Sequence, residues 1–453
     1  MVLKFVGRKD ELDLLESRHA SKRFEFVVIY GRRRIGKTYL IKRFLEDKEG
    51  IYFLCDKGGT PRNAERFKRQ VAYHYNEPAM ESNDFEDIFK HISKKSPDRL
   101  VIVLDEFSHL VDKDDSVPSI FQVIVDEILS STRIFLILCG SSIGMMERGV
   151  LSEKSPLFGR KTGHVRLLPM DPWSARGFFP KATVSNAASF YCVLGGVPHY
   201  LIRFDPRHSL ERNCIDTIMK RSGELYEEVD FTLRSEVREP DLYRGVLAAA
   251  ASGNTRLVEI ANAVGKNAND MPKYLAPLLS LGLLEREYSV TDIAQNRSRY
   301  RIVDNLVAFW FRFCEPFKSN LELGDLGVPM SFFKENINSH IGLRFENMVQ
   351  RHVFPKLIRF PATRTGRFWK GDVEIDGVAI GKKKAAFMEC KWSQRVDGEK
   401  VMLALDRKID KFPWEFDRIE RMVFARSFSS KVEGCFDLDD IYGWTVSPPR
   451  TQD

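Results

Sequence analysis

A chain of 453 residues is too long to fold around one ordinary hydrophobic core, so two to four domains are expected. At 43% hydrophobic and 29% charged residues, with no low-complexity tract, the composition is that of a soluble globular protein. A formal charge of +7 permits a nucleic-acid partner without demanding one. The seven cysteines are odd in number and form no CxxC pair, which argues against both a disulfide framework and a zinc site. The opening residues MVLKFVGRKDELDLL lack the apolar block of a signal peptide, and runs such as FVVIY and IFLILC are too short to cross a bilayer. A cytoplasmic protein with no membrane contact is the expectation.

Up to about residue 165, the short β-rich runs FEFVVIY, IYFL, LVIVLDE and RIFLILCG alternate with helix-permissive stretches, predicting a parallel sheet with crossover helices. Strands are hard to find between 170 and 235, where AASFYCVL and SLERNCIDTIMKR suggest a small helical subdomain. RLVEIANAVG then reads as a helix, KNAND as a turn, and residues 270–287 as a second helix running into a hairpin through EYSV and SRYRIV, a winged-helix pattern. GDLGVP at 324–329 reads as a linker. A helix at SHIGLRFENMVQRHV follows. Beyond it come strands around RFW, VEIDGVAI and AAFMECKW, a helix at EKVMLALDRKIDKF and a strand at RMVFARSF. The fold class expected is multidomain α/β, with boundaries at 1–168, 169–238, 239–323 and 330–453.

The sharpest motif is GRRRIGKT at 31–38, a complete GxxxxGK[ST] between a strand and a helix. Gly31 and Gly36 let backbone N–H groups crowd round phosphates, Lys37 supplies a point charge to the β and γ oxygens, and Thr38 offers a hydroxyl to Mg²⁺. LVIVLDEF delivers Asp105 and Glu106 to the sheet's carboxyl edge, Asp105 to hold Mg²⁺ through water and Glu106 to orient or deprotonate the attacking water. IFLILCGSS ends in Ser141 and Ser142, either of which can reach the γ-phosphate or its water.

FVGRKDEL, YGRRRIGKT, LDEF, CGSS, SPLFGRKTGHVRLLPM and GGVPHYL together resemble the archaeal-type ATPases of the AAA+/STAND superfamily, over roughly residues 3–310. The resemblance implies ATP as the nucleotide and an adenine-proximal place for Val6, Gly7 and Arg8. It also makes Arg160 a candidate arginine sensor or finger, acting from a neighbouring subunit if the chain forms a homo-oligomer. The alternative is a surface arginine in the basic loop RKTGHVR.

Near the C-terminus, AAFMECKW sets Glu389 and Lys391 two apart on a predicted strand, hence on one face. The same rule aligns Asp372, Glu374 and Asp376 in GDVEIDGVAI, and a hairpin through GKKK sets Asp376 beside Glu389 with Lys391 next to both. Two carboxylates and a backbone carbonyl suit a hard divalent ion, Mg²⁺ or Mn²⁺, and the lysine suits a phosphate's developing charge. Glu346 on the helix GLRFENMV is a further candidate ligand, while Asp372 and Glu374 read as a solvated face. The order helix, three strands, helix, strand resembles the PD-(D/E)xK, restriction-endonuclease-like nucleases over about 335–430, although no proline precedes the aspartate in EID.

The presumed recognition helix carries only Lys273 in its first turns and is interrupted by Pro277, too few donors for base-specific contact. The wing segment NRSRYR offers Arg297, Arg299 and Arg301 to phosphates. The resulting expectation is an ATPase coupled to a metal-dependent nuclease acting on DNA or RNA. The alternative is a nucleotide-driven switch whose C-terminal domain binds nucleic acid or a partner without cutting.

Overall fold

The computed structural model describes residues 5–96, 98–237, 239–294 and 297–444. The chain divides into two compact units, Met1–Pro169 and Met170–Asp453.

The first unit is built on five parallel strands: β1 (Glu25–Tyr30), β2 (Gly50–Leu54), β3 (Val101–Asp105), β4 (Phe135–Gly140) and β5 (Gly163–Arg166), ordered β2-β3-β4-β1-β5. β1, β3 and β4 are buried along their whole length, which is why they read as unbroken apolar runs rather than alternating ones. The helices Thr60–Tyr75 and Phe85–Lys95 send Phe67, Phe85, Ile88 and Phe89 into the core, each such side chain contributing about 1.5–3 kcal/mol. β5 lies within the segment expected as a basic loop. Val165 is the only buried residue of this short edge strand, so no apolar run announces it.

The second unit begins with helices, among them Val184–Leu194, Leu210–Cys214 and Glu228–Glu236. Three more helices, Pro240–Ala251, Leu257–Ala263 and Met271–Ser280, precede an antiparallel pair, β6 (Leu284–Tyr288) and β7 (Ser298–Ile302). The helix expected over 270–287 stops at Ser280. Gly282 turns the chain at φ 67°, and Leu283 and Leu284 are then buried as the chain enters β6. The expected linker at 324–329 is largely helical. The helix Gly327–Met348 starts inside it, because Asp325 accepts the Gly327 N–H and Pro329 sits in the first turn, where no donor is lost.

The last part is a five-stranded mixed sheet whose strands lie in the spatial order Cys435–Phe436, Arg418–Ala425, Lys384–Lys391, Val373–Ile380 and Arg364–Lys370. β8 (Arg364–Lys370), β9 (Val373–Ile380) and β10 (Lys384–Lys391) form an antiparallel meander. After β11 (Val396–Asp397) the helix Gly398–Ile409 crosses over, capped at its start by Asp397, and β12 (Arg418–Ala425) returns parallel to β10. β13 (Phe428–Ser430) pairs with β11, and β14 (Cys435–Phe436) extends the sheet beside β12.

Candidate functional sites

In the first unit, the loop after β1 carries the phosphate-binding motif. Gly31 has φ 154°, and a Cβ there would come 2.6 Å from the Leu167 carbonyl oxygen, so only glycine fits. Gly36 at φ 97° turns the chain into the helix Lys37–Leu45, whose first N–H groups have no side-chain cap and face the loop as an anion site. Lys37 is buried and its ammonium donates to the carbonyls of Gly31 (2.8 Å) and Arg32 (3.1 Å), folded back on the loop it serves.

Thr38 Oγ1–H donates to Asp105 Oδ2 at 2.8 Å, joining the loop to the end of β3. Asp105 is wholly buried. Its Oδ2 also accepts the Tyr52 hydroxyl at 2.6 Å, and its Oδ1 accepts the Glu106 N–H at 2.9 Å. Burial, with Asp105 alongside, pushes the Tyr52 phenol well above its ordinary value, so it stays a donor. Sequence reasoning missed Tyr52. It lies on the neighbouring strand β2, and only the β2–β3 pairing brings it to Asp105.

Glu106 adopts φ 55°, a left-handed conformation that costs a non-glycine residue about 1–2 kcal/mol. It turns the carboxylate towards the end of β4, where Glu106 Oε2 accepts the hydroxyl (2.6 Å) and N–H (3.2 Å) of Ser141. The hydroxyl and carboxylate of the Thr38–Asp105 pair form a donor set that fits Mg²⁺.

Two sequence candidates are engaged elsewhere in this unit. Arg8 donates to the carbonyls of Ile35 (3.2 Å) and Leu168 (2.7 Å) and to Glu11 (3.0 Å), tying the phosphate loop to the chain beyond β5. Gly7 and Arg8 both turn through positive φ to do this, with Val6 half-buried beside them. Arg160 forms a bidentate pair with Asp126 (2.7 Å at each nitrogen) and donates to the Pro156 carbonyl, which makes it a local tie in this structure.

In the second unit, β9 and β10 pair up to Met388 and Gly377, and Glu389 and Asp376 are the next residues on each strand. Asp376 Oδ2 accepts the Cys390 N–H at 2.8 Å. Burial first, then the neighbouring Glu389, pushes its carboxyl up to about 6. Lys391 Nζ lies 2.7 Å from Glu389 Oε1. Burial alone would favour the neutral amine, but the Glu389 hydrogen bond holds it above its ordinary value. A second lysine, Lys408 from the helix Gly398–Ile409, donates to Oε1 (2.9 Å) and Oε2 (2.7 Å) of Glu389. Nothing in the strand spacing pointed to it, since the helix brings it in from the other side.

Glu346 is not free to serve as a ligand, because it is ion-paired with Arg367. Arg367 also donates to Asn347 (2.5 Å) and Glu287 (3.3 Å) and is almost fully buried. Among the described residues, no group of three or more His, Cys, Asp or Glu side chains is placed to hold a metal ion. Two of the three wing arginines are also spoken for. Arg301 pairs with Glu287 (2.9 Å) and Glu374 (3.6 Å), and Arg299 stacks on Trp369 at 4.5 Å beside Glu374. Glu374 stays half-exposed while it makes these contacts, so they add to a solvated strand position rather than replace it. Among the described residues, no helix is long and apolar enough to cross a membrane.

Residues 5–204 match a family described as an "ATPase domain predominantly from Archaea", and residues 310–401 one described as "Archaea bacterial proteins of unknown function". An uncharacterized protein of Methanocaldococcus jannaschii is 35% identical over 451 residues, covering 96% of this chain and 99% of its own. An uncharacterized ATP-binding protein of the same organism is 48% identical over 48 residues, 11% of this chain and 81% of its own. Among solved structures, a Walker-type ATPase of Pyrococcus abyssi superposes with a TM-score of 0.52 at 18% identity, covering 68% of this chain and 96% of that one, a likeness of fold. The chain belongs to the family of the full-length Methanocaldococcus relative, and its N-terminal part is an archaeal-type P-loop ATPase domain.

Proposed function

We propose that the chain binds and hydrolyses ATP in its first unit and uses that cycle to govern a nucleic-acid-cleaving site in its second. The ATP half is supported by the Thr38–Asp105 contact at 2.8 Å, which joins the phosphate loop to the acidic strand end. Lys37 would leave the loop carbonyls for the β and γ oxygens, and Thr38 and Asp105 would hold Mg²⁺, which neutralises phosphate charge when bound. Glu106 would take or orient the proton of the attacking water.

The observation that carries the nuclease half is the juxtaposition of Asp376, Glu389 and Lys391 on paired strands of a sheet whose meander is followed by a helix and a parallel strand. Asp376 and Glu389 would hold a divalent ion, which supplies Lewis-acid activation of a phosphodiester. Lys391 would steady the negative charge that builds up there. The three helices and hairpin of 240–302 read as a winged helix in this scheme, and the domain boundaries follow the sequence expectation. We place the protein in the cytoplasm.

Two observations favour a second reading, a nucleotide-driven switch that binds without cutting. Two lysines already neutralise Glu389, and Glu346 is committed to Arg367.

The deciding experiment is cleavage of end-labelled single- and double-stranded DNA and RNA with Mg²⁺ or Mn²⁺, with and without ATP, beside a Glu389→Ala preparation. Cutting that the variant lacks supports the nuclease. Absence of cutting in a preparation that hydrolyses ATP leaves the switch.

A further inference from the structure

In the second unit, the chain leaving β6 runs along the outer edge of β8. The Val290 N–H donates to the Arg367 carbonyl (2.8 Å), and Ser289 Oγ accepts the Trp369 N–H (3.3 Å). Two cavities of about 780 and 1050 Å³ open along this seam and share Arg286, Ser289 and Asp292 in their walls.

The charges along it are unbalanced. The acidic groups are used locally: Glu285 by Arg351, Glu287 by Arg301 and Arg367, Glu259 by the N–H groups of Thr255 and Arg256, and Asp292 by the Arg297 N–H. Four exposed cations, Arg286, Arg297, Arg364 and Lys370, also line the seam. Among the described residues, none of their side chains pairs with a carboxylate. Arg286 lies over the rings of Tyr288 and Tyr300 at 5.1 and 5.8 Å and is itself exposed, so the rings support the guanidinium while it stays open to solvent.

Arg364 and Lys370 stand at the two ends of β8, about 20 Å apart at the rise of an extended strand. A nucleic-acid strand with a phosphate about every 3.4 Å places about six charges over that length. A small anion would use one end only. A polymer of evenly spaced negative charge matches the whole seam.

We infer that this seam is a binding groove for a nucleic-acid backbone, gripped by Arg286, Arg297, Arg364 and Lys370. The inference rests on the nucleic-acid reading above and adds where the strand lies.

The test is fluorescence anisotropy with the full-length protein and labelled 20-mers of single-stranded DNA, single-stranded RNA and duplex DNA, between 50 and 200 mM salt. Changing all four cations to alanine should weaken binding about tenfold or more. It should also make the log–log salt slope shallower by about 3, given a loss of about 0.7–0.9 per phosphate contact. Arg286→Lys, Arg297→Lys and Arg364→Lys together should retain the slope, and an unchanged unfolding midpoint shows that the alanine variant is folded. If the natural protein binds and the alanine variant matches it in affinity and slope, the groove is wrong while the nucleic-acid reading stands. If the natural protein binds none of the probes at 50 mM salt, the reading falls and the groove with it. If polyglutamate of equal charge competes as well as the 20-mers, the seam is a surface for acidic protein and the inference is overturned.

Discussion

The Ser141 hydroxyl sits 2.6 Å from Glu106 Oε2, so the residue just after β4 holds the carboxylate that we propose acts on the attacking water. This contact makes the two side chains separable by mutation. Glu106→Gln should lower kcat for ATP hydrolysis about 10²- to 10⁴-fold with nucleotide affinity unchanged. Ser141→Ala should instead raise basal hydrolysis by a few fold, because it releases the carboxylate. Single-turnover ATPase rates beside equilibrium binding distinguish them, and a Ser141→Ala enzyme as dead as Glu106→Gln would show that the serine itself serves the reaction.

Tyr52 supports Asp105 from the adjacent strand and is predicted to matter for the metal rather than the nucleotide. Tyr52→Phe should raise the Mg²⁺ concentration for half-maximal ATP hydrolysis about tenfold, as losing a hydrogen-bond partner behind a ligand does. It should also cost about 1–2 kcal/mol of stability. A magnesium titration of the ATPase rate checks the first figure, and urea unfolding the second.

Lys408 competes for Glu389 with any ion bound there. Lys408→Met should tighten Mn²⁺ binding to the second unit about tenfold, measured by calorimetry on the full chain against Asp376→Asn as the blank. Weaker binding in Lys408→Met would mean that the lysine organises the site instead of blocking it.

His352 predicts a pH dependence. Burial, its largest influence, lowers it from 6.5 to about 4, and its Nε2 lies 3.2 Å from the Tyr191 hydroxyl. The folded chain thus binds fewer protons than the unfolded chain between these values, so stability is full above pH 6.5 and falls as pH drops towards 4. The loss should be about 1–2 kcal/mol, short of the full shift because the ring keeps some solvent contact. Denaturant midpoints at pH 7 and pH 4.5 should differ less in His352→Gln. An equal difference in both proteins would assign the acid sensitivity to other groups.

The sequence made these sites legible to different depths. Gly31, Lys37, Thr38, Asp105 and Glu106 stand in local motifs whose strand and helix context is visible in the chain, and the buried strands β1, β3 and β4 announce themselves as apolar runs. β5 did not, because GHVR carries a single buried apolar side chain. The end of the helix at Ser280 was hidden because LLSLGLLERE keeps its leucines in register for either a helix or a strand, and the turn at Gly282 decides between them. Tyr52, Lys408 and Arg367 reach their partners across separate elements, so no spacing rule exposes them. Arg299 and Arg301 looked like free wing cations for the same reason, since their partner Glu374 lies on β9.

The β6–β8 seam also bears on how the second unit may be divided. β8 is the outermost strand of its sheet, and its backbone partner on that side is the stretch around Val290, which belongs to the hairpin. A fragment starting at residue 330 would leave that strand's N–H and C=O groups bare, a template for another chain. Such a fragment should precipitate or form mixed oligomers on expression, whereas one starting at residue 240 should stay in solution.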